Sequence, residues 1–141
     1  MGSIGTAHTD ERIAYGFLRF VLGVNICLHG VSRLFGDHAA FLAYLTHSMT
    51  HAALVPKASL PVLAAVLPWV EAIVGLLLLL GLFTRFALIA GSAVMVLLMA
   101  GVTLAQDWDT AGLQLIYCLA YFALLTLRER NFFSLDTLLR R

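Results

Sequence analysis

The chain has 141 residues, 61% hydrophobic and 12% charged, with a formal net charge of +1. That is about half the charge of an ordinary soluble domain, so a fully water-surrounded fold is excluded and a lipid-facing one is expected. A near-neutral balance also argues against nucleic acid as a partner, and two cysteines outside any C-x-x-C motif argue against a dithiol redox motif.

Residues 1–10 read as a polar tail of mixed charge, with Asp10 as a helix N-cap. The tail lacks the basic start and cleavage site of a signal peptide, so the first apolar segment is expected to remain as an anchor. That segment, residues 13–35, carries an unusual polar load: Arg19, Asn25, His29 and Arg33. Residues 36–59 are too short and too polar to span. Phe41, Leu42, Leu45 and Met49 fall near one helical face, which suggests a helix lying at the interface.

The second span, residues 60–82, has Pro61 at its start and Pro68 inside, where a kink is expected. It holds a single charged residue, Glu71, near its middle. An ionisable group at that depth costs at least ~2.5 kcal/mol on insertion scales, so it needs a partner, water or a function. A very short turn at Thr84 and Arg85 leads into the third span, residues 83–105, and makes an antiparallel hairpin. Gly91, Ser92, Ala100 and Gly101 offer small faces for close helix contact. An acidic turn follows, then the fourth span, residues 110–127, with Gln114, Tyr117, Cys118 and Tyr121. The tail from Arg128 reads as a basic amphipathic piece for the membrane surface.

The expected fold is therefore all-α: an integral membrane four-helix bundle in a single domain, with an interfacial helix between the first and second spans. Four spans put both termini on one side. Arg12, Arg85, Arg128, Arg130, Arg140 and Arg141 fall there, against Arg33 and Lys57 on the other. The positive-inside rule then makes both termini cytoplasmic, and a multi-pass protein of a bacterial inner membrane is expected.

Counting depth at ~1.5 Å per residue from the start of each span puts Arg19 within about 5 Å of the level of Glu71. The two are expected to pair, and to floor a polar pocket in the outer half lined by Asn25, His29, Gln114 and Tyr117. A purely fastening role competes with a functional one for this pair. His29 reads equally as a satisfied structural histidine, and Tyr117 and Tyr121 as core or interface aromatics. His47 and His51 are spaced i, i+4, yet no carboxylate or cysteine completes a ligand set with them and His38, so no metal is expected. Cys27 and Cys118 read as free thiols, a disulfide between the first and last spans being the rival.

The run LRFVLGVNICLHGVSRLFG at residues 18–36, the Glu71 segment followed by LLLLLGLFTRFA at 76–87, and FFSLD at 132–136 together resemble the DoxX family of small bacterial four-helix membrane proteins. Arg33 stands where that family often has lysine. The family is named for a subunit linked to thiosulfate:quinone oxidoreduction, and members occur with redox-stress systems. The resemblance thus implies a membrane subunit of a quinone-linked redox system, with quinone as the cofactor. In that reading Glu71 relays protons, His29 or Tyr117 donates to a quinone carbonyl, and Arg19 holds Glu71 ionised; Asn25, Arg33 and Gln114 complete the pocket. Expected partners are the bilayer, a quinone or lipid ligand, a redox partner protein that supplies electrons, and further copies of the chain. The rival is a non-enzymatic scaffold or assembly factor. A small transporter fits less well, because no internal repeat is visible.

Overall fold

A computed structural model describes residues 3–48 and 56–139, which form helices with no strand among the described residues. Four helices are long and apolar enough to cross a membrane: α1 (Ser3–Phe35), α3 (Leu60–Leu80), α4 (Thr84–Leu104) and α5 (Trp108–Thr126). Between the first two lies α2 (His38–Ser48), and α6 (Leu135–Leu139) closes the described chain. The fold is the all-α membrane bundle that the sequence implies.

The N-terminal tail differs from expectation. No glycine or proline interrupts residues 7–15, and α1 is continuous from Ser3, so Asp10 lies inside the helix and does not cap it. The termini meet at one end of the bundle: Arg130 bonds Glu11 at 2.8 Å, and the Arg12 guanidinium lies 4.7 Å from the centre of the Phe132 ring. We call this the terminal end. The other, the connection end, carries α2 and the turn before α5.

The closest packing is between α1 and α3, and glycines make it possible. A methyl group added at Gly23 would stand 2.5 Å from Leu79 N, and one at Gly30 would stand 2.5 Å from Pro68 O. Gly75 is likewise pressed on the backbone of Cys27. Without a hydrophobic drive between helices in lipid, such close approach is what association relies on. The small faces expected on the third span do something else. Gly91 receives the ring of Tyr121, which is 2% exposed, while Ala100 faces outward. The core runs along the bundle through Tyr15, Leu22, Val74, Leu78, Leu88, Met95 and Leu124. Cys27 and Cys118 are both free, as the simpler reading has it.

α3 is helical throughout Leu60–Leu80 with Pro68 buried inside it. α2 begins where Asp37 accepts hydrogen bonds from Ala39 N and Ala40 N, at 2.9 and 3.1 Å, which satisfies amides that open every helix. Leu45 is buried beneath α2 and Phe41 and Leu42 are half-buried, as the predicted face requires; Met49 lies outside the described residues.

The tail after α5 is not a free surface helix. A short 3-10 turn, Arg128–Arg130, folds it back over the terminal end. There the Asp136 carboxylate accepts from Phe83 N and Thr84 N, both at 2.8 Å, while Asp136 N donates to Gly81 O at 3.0 Å.

Candidate functional site

Glu71 lies 11 residues from one end of α3 and 9 from the other, or about 16 and 14 Å. It is 5% exposed. Its partner is Arg33, not Arg19. Arg33 Nη1 donates to Glu71 Oε1 at 2.6 Å and also to Oε2. The same guanidinium lies 4.8 Å from the centre of the Phe41 ring on α2, a cation–π contact. One ion pair thus joins α1, α2 and α3.

The expected Arg19–Glu71 pair is corrected by the register of α1 on α3. Depth counted from each segment's own apparent start assumes that the starts are level. The glycine contacts set Gly23 against Leu79 and Gly30 against Ala72, which carries Arg19 towards the C-terminal end of α3. Glu71 is seven residues back from Leu78, about 10 Å away along the helix. The polar pocket of the sequence reading therefore loses Arg19 as its floor, and Arg33 takes the place beside Glu71.

Arg19 serves the terminal end instead. It is 4% exposed and donates to Leu78 O, to Leu79 O at 3.3 Å, and from Nη2 to Phe133 O at 2.5 Å. A cation at a helix C-terminus meets its unpaired carbonyls and the negative end of its dipole. Gly81 makes room: its φ is +66°, and a side chain there would meet Arg19 and Ser134. Leu82 N returns to Leu77 O at 3.0 Å, which closes the Schellman turn. Asp136 supplies the matching negative charge at the start of α4, and Asn131 Nδ2 donates to Thr84 Oγ1 at 3.0 Å. The turn from Gly81 to Arg85 and the FFSLD run are therefore the two halves of one structural cap.

The other predicted residues fall along α1 and α5. Tyr117 OH donates to Asn25 Oδ1 at 3.1 Å. Gln114, one turn nearer the connection end, is half-buried, and its Oε1 is buried without a hydrogen-bond partner. His29 is exposed, with no hydrogen bond to its ring among the described residues. Tyr121 is buried in the core, as one of the sequence readings has it. The structure thus groups Glu71 with Arg33, and Asn25 with Tyr117. His29 stays at the margin and Arg19 is removed.

At the connection end, hydrogen bonds from Thr110, in the first turn of α5, hold the Asp107 carboxyl below the usual carboxylate range. Among the described residues no three His, Cys, Asp or Glu side chains come together as metal ligands; His38 and His47 are exposed, and His51 lies outside the described residues. Two open grooves, of about 500 and 420 Å³, lie at the terminal end. The first runs between α1 and α3 along Ile13, Phe17, Phe20 and Leu80 beside Arg19, and Phe133 closes one side. Both are remote from Glu71.

The family model DoxX matches residues 15–106. No curated protein and no solved structure matches the chain. The matched stretch includes Arg19, Asn25, His29, Arg33 and Glu71, and stops short of Gln114, Tyr117 and the FFSLD run.

Proposed function

The chain belongs to the DoxX family, and from that premise we propose that it is the membrane subunit of a quinone-linked redox system in a bacterial inner membrane. The observation that carries this reading is the Glu71–Arg33 pair at mid-membrane depth, with the Asn25–Tyr117 bond and Gln114 nearby on α1 and α5. Reducing a quinone takes two electrons and two protons. The electrons come from a partner redox protein. The protons need a titratable group inside the apolar belt, and Glu71 is that group. Both termini face the cytoplasm, because Arg12, Arg85, Arg128 and Arg130 gather at the terminal end, while Arg33 at the other is committed to Glu71.

Protein purified in a mild detergent should carry quinone in an organic extract. Glu71→Gln should fold, retain the quinone and lose quinone-dependent turnover with its redox partner. Extracts without quinone, or full turnover by Glu71→Gln, would remove the redox role.

The second reading is a scaffold. It is favoured by the way Arg33 engages both Glu71 oxygens and Phe41 at once, which fastens three helices and leaves no vacant donor on Nη1 directed elsewhere. On that reading Glu71→Gln weakens the fold and nothing else.

A further inference from the structure

α1 outlasts its partner at the terminal end. Gly23 packs on Leu79, in the last turn of α3, so the stretch from Gly23 back to Ile13 runs on for about 15 Å past that level. Its outer face there is still apolar: Ile13, Phe17 and Phe20 are each more than half exposed. The first of the two grooves runs along them to Leu80 and Phe133, and the second lies among Phe132, Phe133, Leu135 and Leu138. Leu80 and Phe133 line both, so the grooves adjoin along these two side chains. Apolar surface left bare on this scale marks an interaction site. The polar side chains that reach the grooves are spent within the protein. In the first, Arg19 is 4% exposed, with Nη1 and Nη2 on main-chain carbonyls and Nε buried. In the second, the hydroxyls of Ser134 and Thr137 lie 2.9 Å apart and share hydrogen bonds with each other and with the Asn131 carbonyl. The grooves therefore offer an occupant hydrocarbon, not hydrogen bonds.

Charge stands at the rim instead. Arg12, next to Ile13, is exposed, and its guanidinium lies over the ring of Phe132, on the wall of the second groove. It makes no ion pair among the described residues. Glu11 bonds Arg130, and Asp136 is held by the amides of Phe83 and Thr84. Asp10, two positions back on the helix, faces away from Arg12. We infer that the terminal end binds one anionic two-chain phospholipid of the surrounding leaflet, with a chain in each groove on either side of Phe133 and the phosphate at Arg12. Two adjoining apolar grooves fit two hydrocarbon chains, and a guanidinium matches a phosphate in charge and in geometry. The lipid covers apolar surface that the contact between α1 and α3 leaves bare. The site is remote from Glu71 and independent of the quinone-linked reading.

The test titrates the full chain, delipidated in a mild detergent, with three lipids and follows the complexes by native mass spectrometry. Dioleoyl phosphatidylglycerol is the anionic two-chain probe. Dioleoyl phosphatidylcholine has the same chains and no net charge, and oleoyl lysophosphatidylglycerol has the same head and one chain. Phosphatidylglycerol should bind about fivefold more tightly than phosphatidylcholine, the worth of one arginine at an anionic surface, and more tightly than the one-chain lipid. Arg12→Gln should bring phosphatidylglycerol down to the level of phosphatidylcholine and leave phosphatidylcholine unchanged. Arg85→Gln, at an exposed arginine that lines neither groove, should keep the preference. Gly16→Leu should weaken both two-chain lipids alike, since a methyl there already lies 3.6 Å from Phe133 and a longer side chain enters the first groove. If Gly16→Leu fails to fold, Ile13→Asn, at an exposed position of the same groove, serves the purpose. Equal binding of the two head groups by the wild type, a preference that survives Arg12→Gln, or two-chain binding unchanged by the groove variant overturns the inference. So does a one-chain lipid that binds as well as a two-chain one. A wild type that holds none of the three overturns it too, and leaves the grooves to a protein segment.

Discussion

Removing Arg33 tests the central pair directly. The Glu71 side chain is 6% exposed and that of Arg33 27%, so Arg33→Ala strands a carboxylate in the interior while water can replace only part of what the guanidinium gave. Breaking one side of a buried pair costs roughly 3–5 kcal/mol, and the partial exposure of Arg33 puts the expected loss near the lower figure, about 3 kcal/mol. The cation–π contact with Phe41 adds on the order of 0.5–1 kcal/mol. Glu71→Gln added to Arg33→Ala should recover much of the loss, because the stranded charge is gone. Equilibrium unfolding in mixed micelles, run as a double-mutant cycle, gives the coupling; contacting residues usually couple by about 0.5–3 kcal/mol. Arg128→Ala, at an exposed position, is the control and should fall within ~0.5 kcal/mol of wild type. If Arg33→Ala is no worse than that control, or the two changes simply add, the pair does not hold Glu71 in the interior.

Three further outcomes follow from the packing and the cap. Gly30→Ala pushes a methyl into the α3 backbone and should cost roughly 1–3 kcal/mol or more, whereas Gly112→Ala, with nothing within 4 Å, should stabilise α5 by up to about 1 kcal/mol; thermal unfolding of the two variants side by side decides it. Arg19→Lys keeps the charge but loses the fork that reaches three carbonyls, and should cost about 1.5–3 kcal/mol, with faster proteolysis after Arg130 as the local sign. Asp136→Ala removes the acceptor at the start of α4 and should cost roughly 0.5–2 kcal/mol, with faster amide exchange at Phe83 and Thr84 as its signature.

Span lengths and the hairpin were legible because they depend on local composition and on a turn too short to permit anything else. The register between α1 and α3 was not. It rests on Gly23, Gly30 and Gly75 meeting across the interface, and no one of them marks its contact in sequence. Depth along each helix leaves the offset between helices open, and without that offset the sequence pairs Arg19 with Glu71. The trace that this contact leaves in the sequence is that Gly23, Cys27 and Gly30 lie near one another on a face of α1. Arg33 was assigned to the pocket, but its tie to Glu71 depends on that same register. The role of FFSLD was equally hidden, because Asp136 and Phe83 are 53 residues apart.

That separation has a consequence for how the chain is made. The hairpin of α3 and α4 enters the membrane as it emerges, but the amides of Phe83 and Thr84 bond a carboxylate synthesised 53 residues after Phe83. At 5–20 residues per second, the turn spends roughly 3–10 s without its acceptor, with only headgroup water to satisfy it. The hairpin is thus inserted first and sealed last. A chain released before Phe133 leaves that turn open and Arg19 short of one of its three carbonyls at the end of α3.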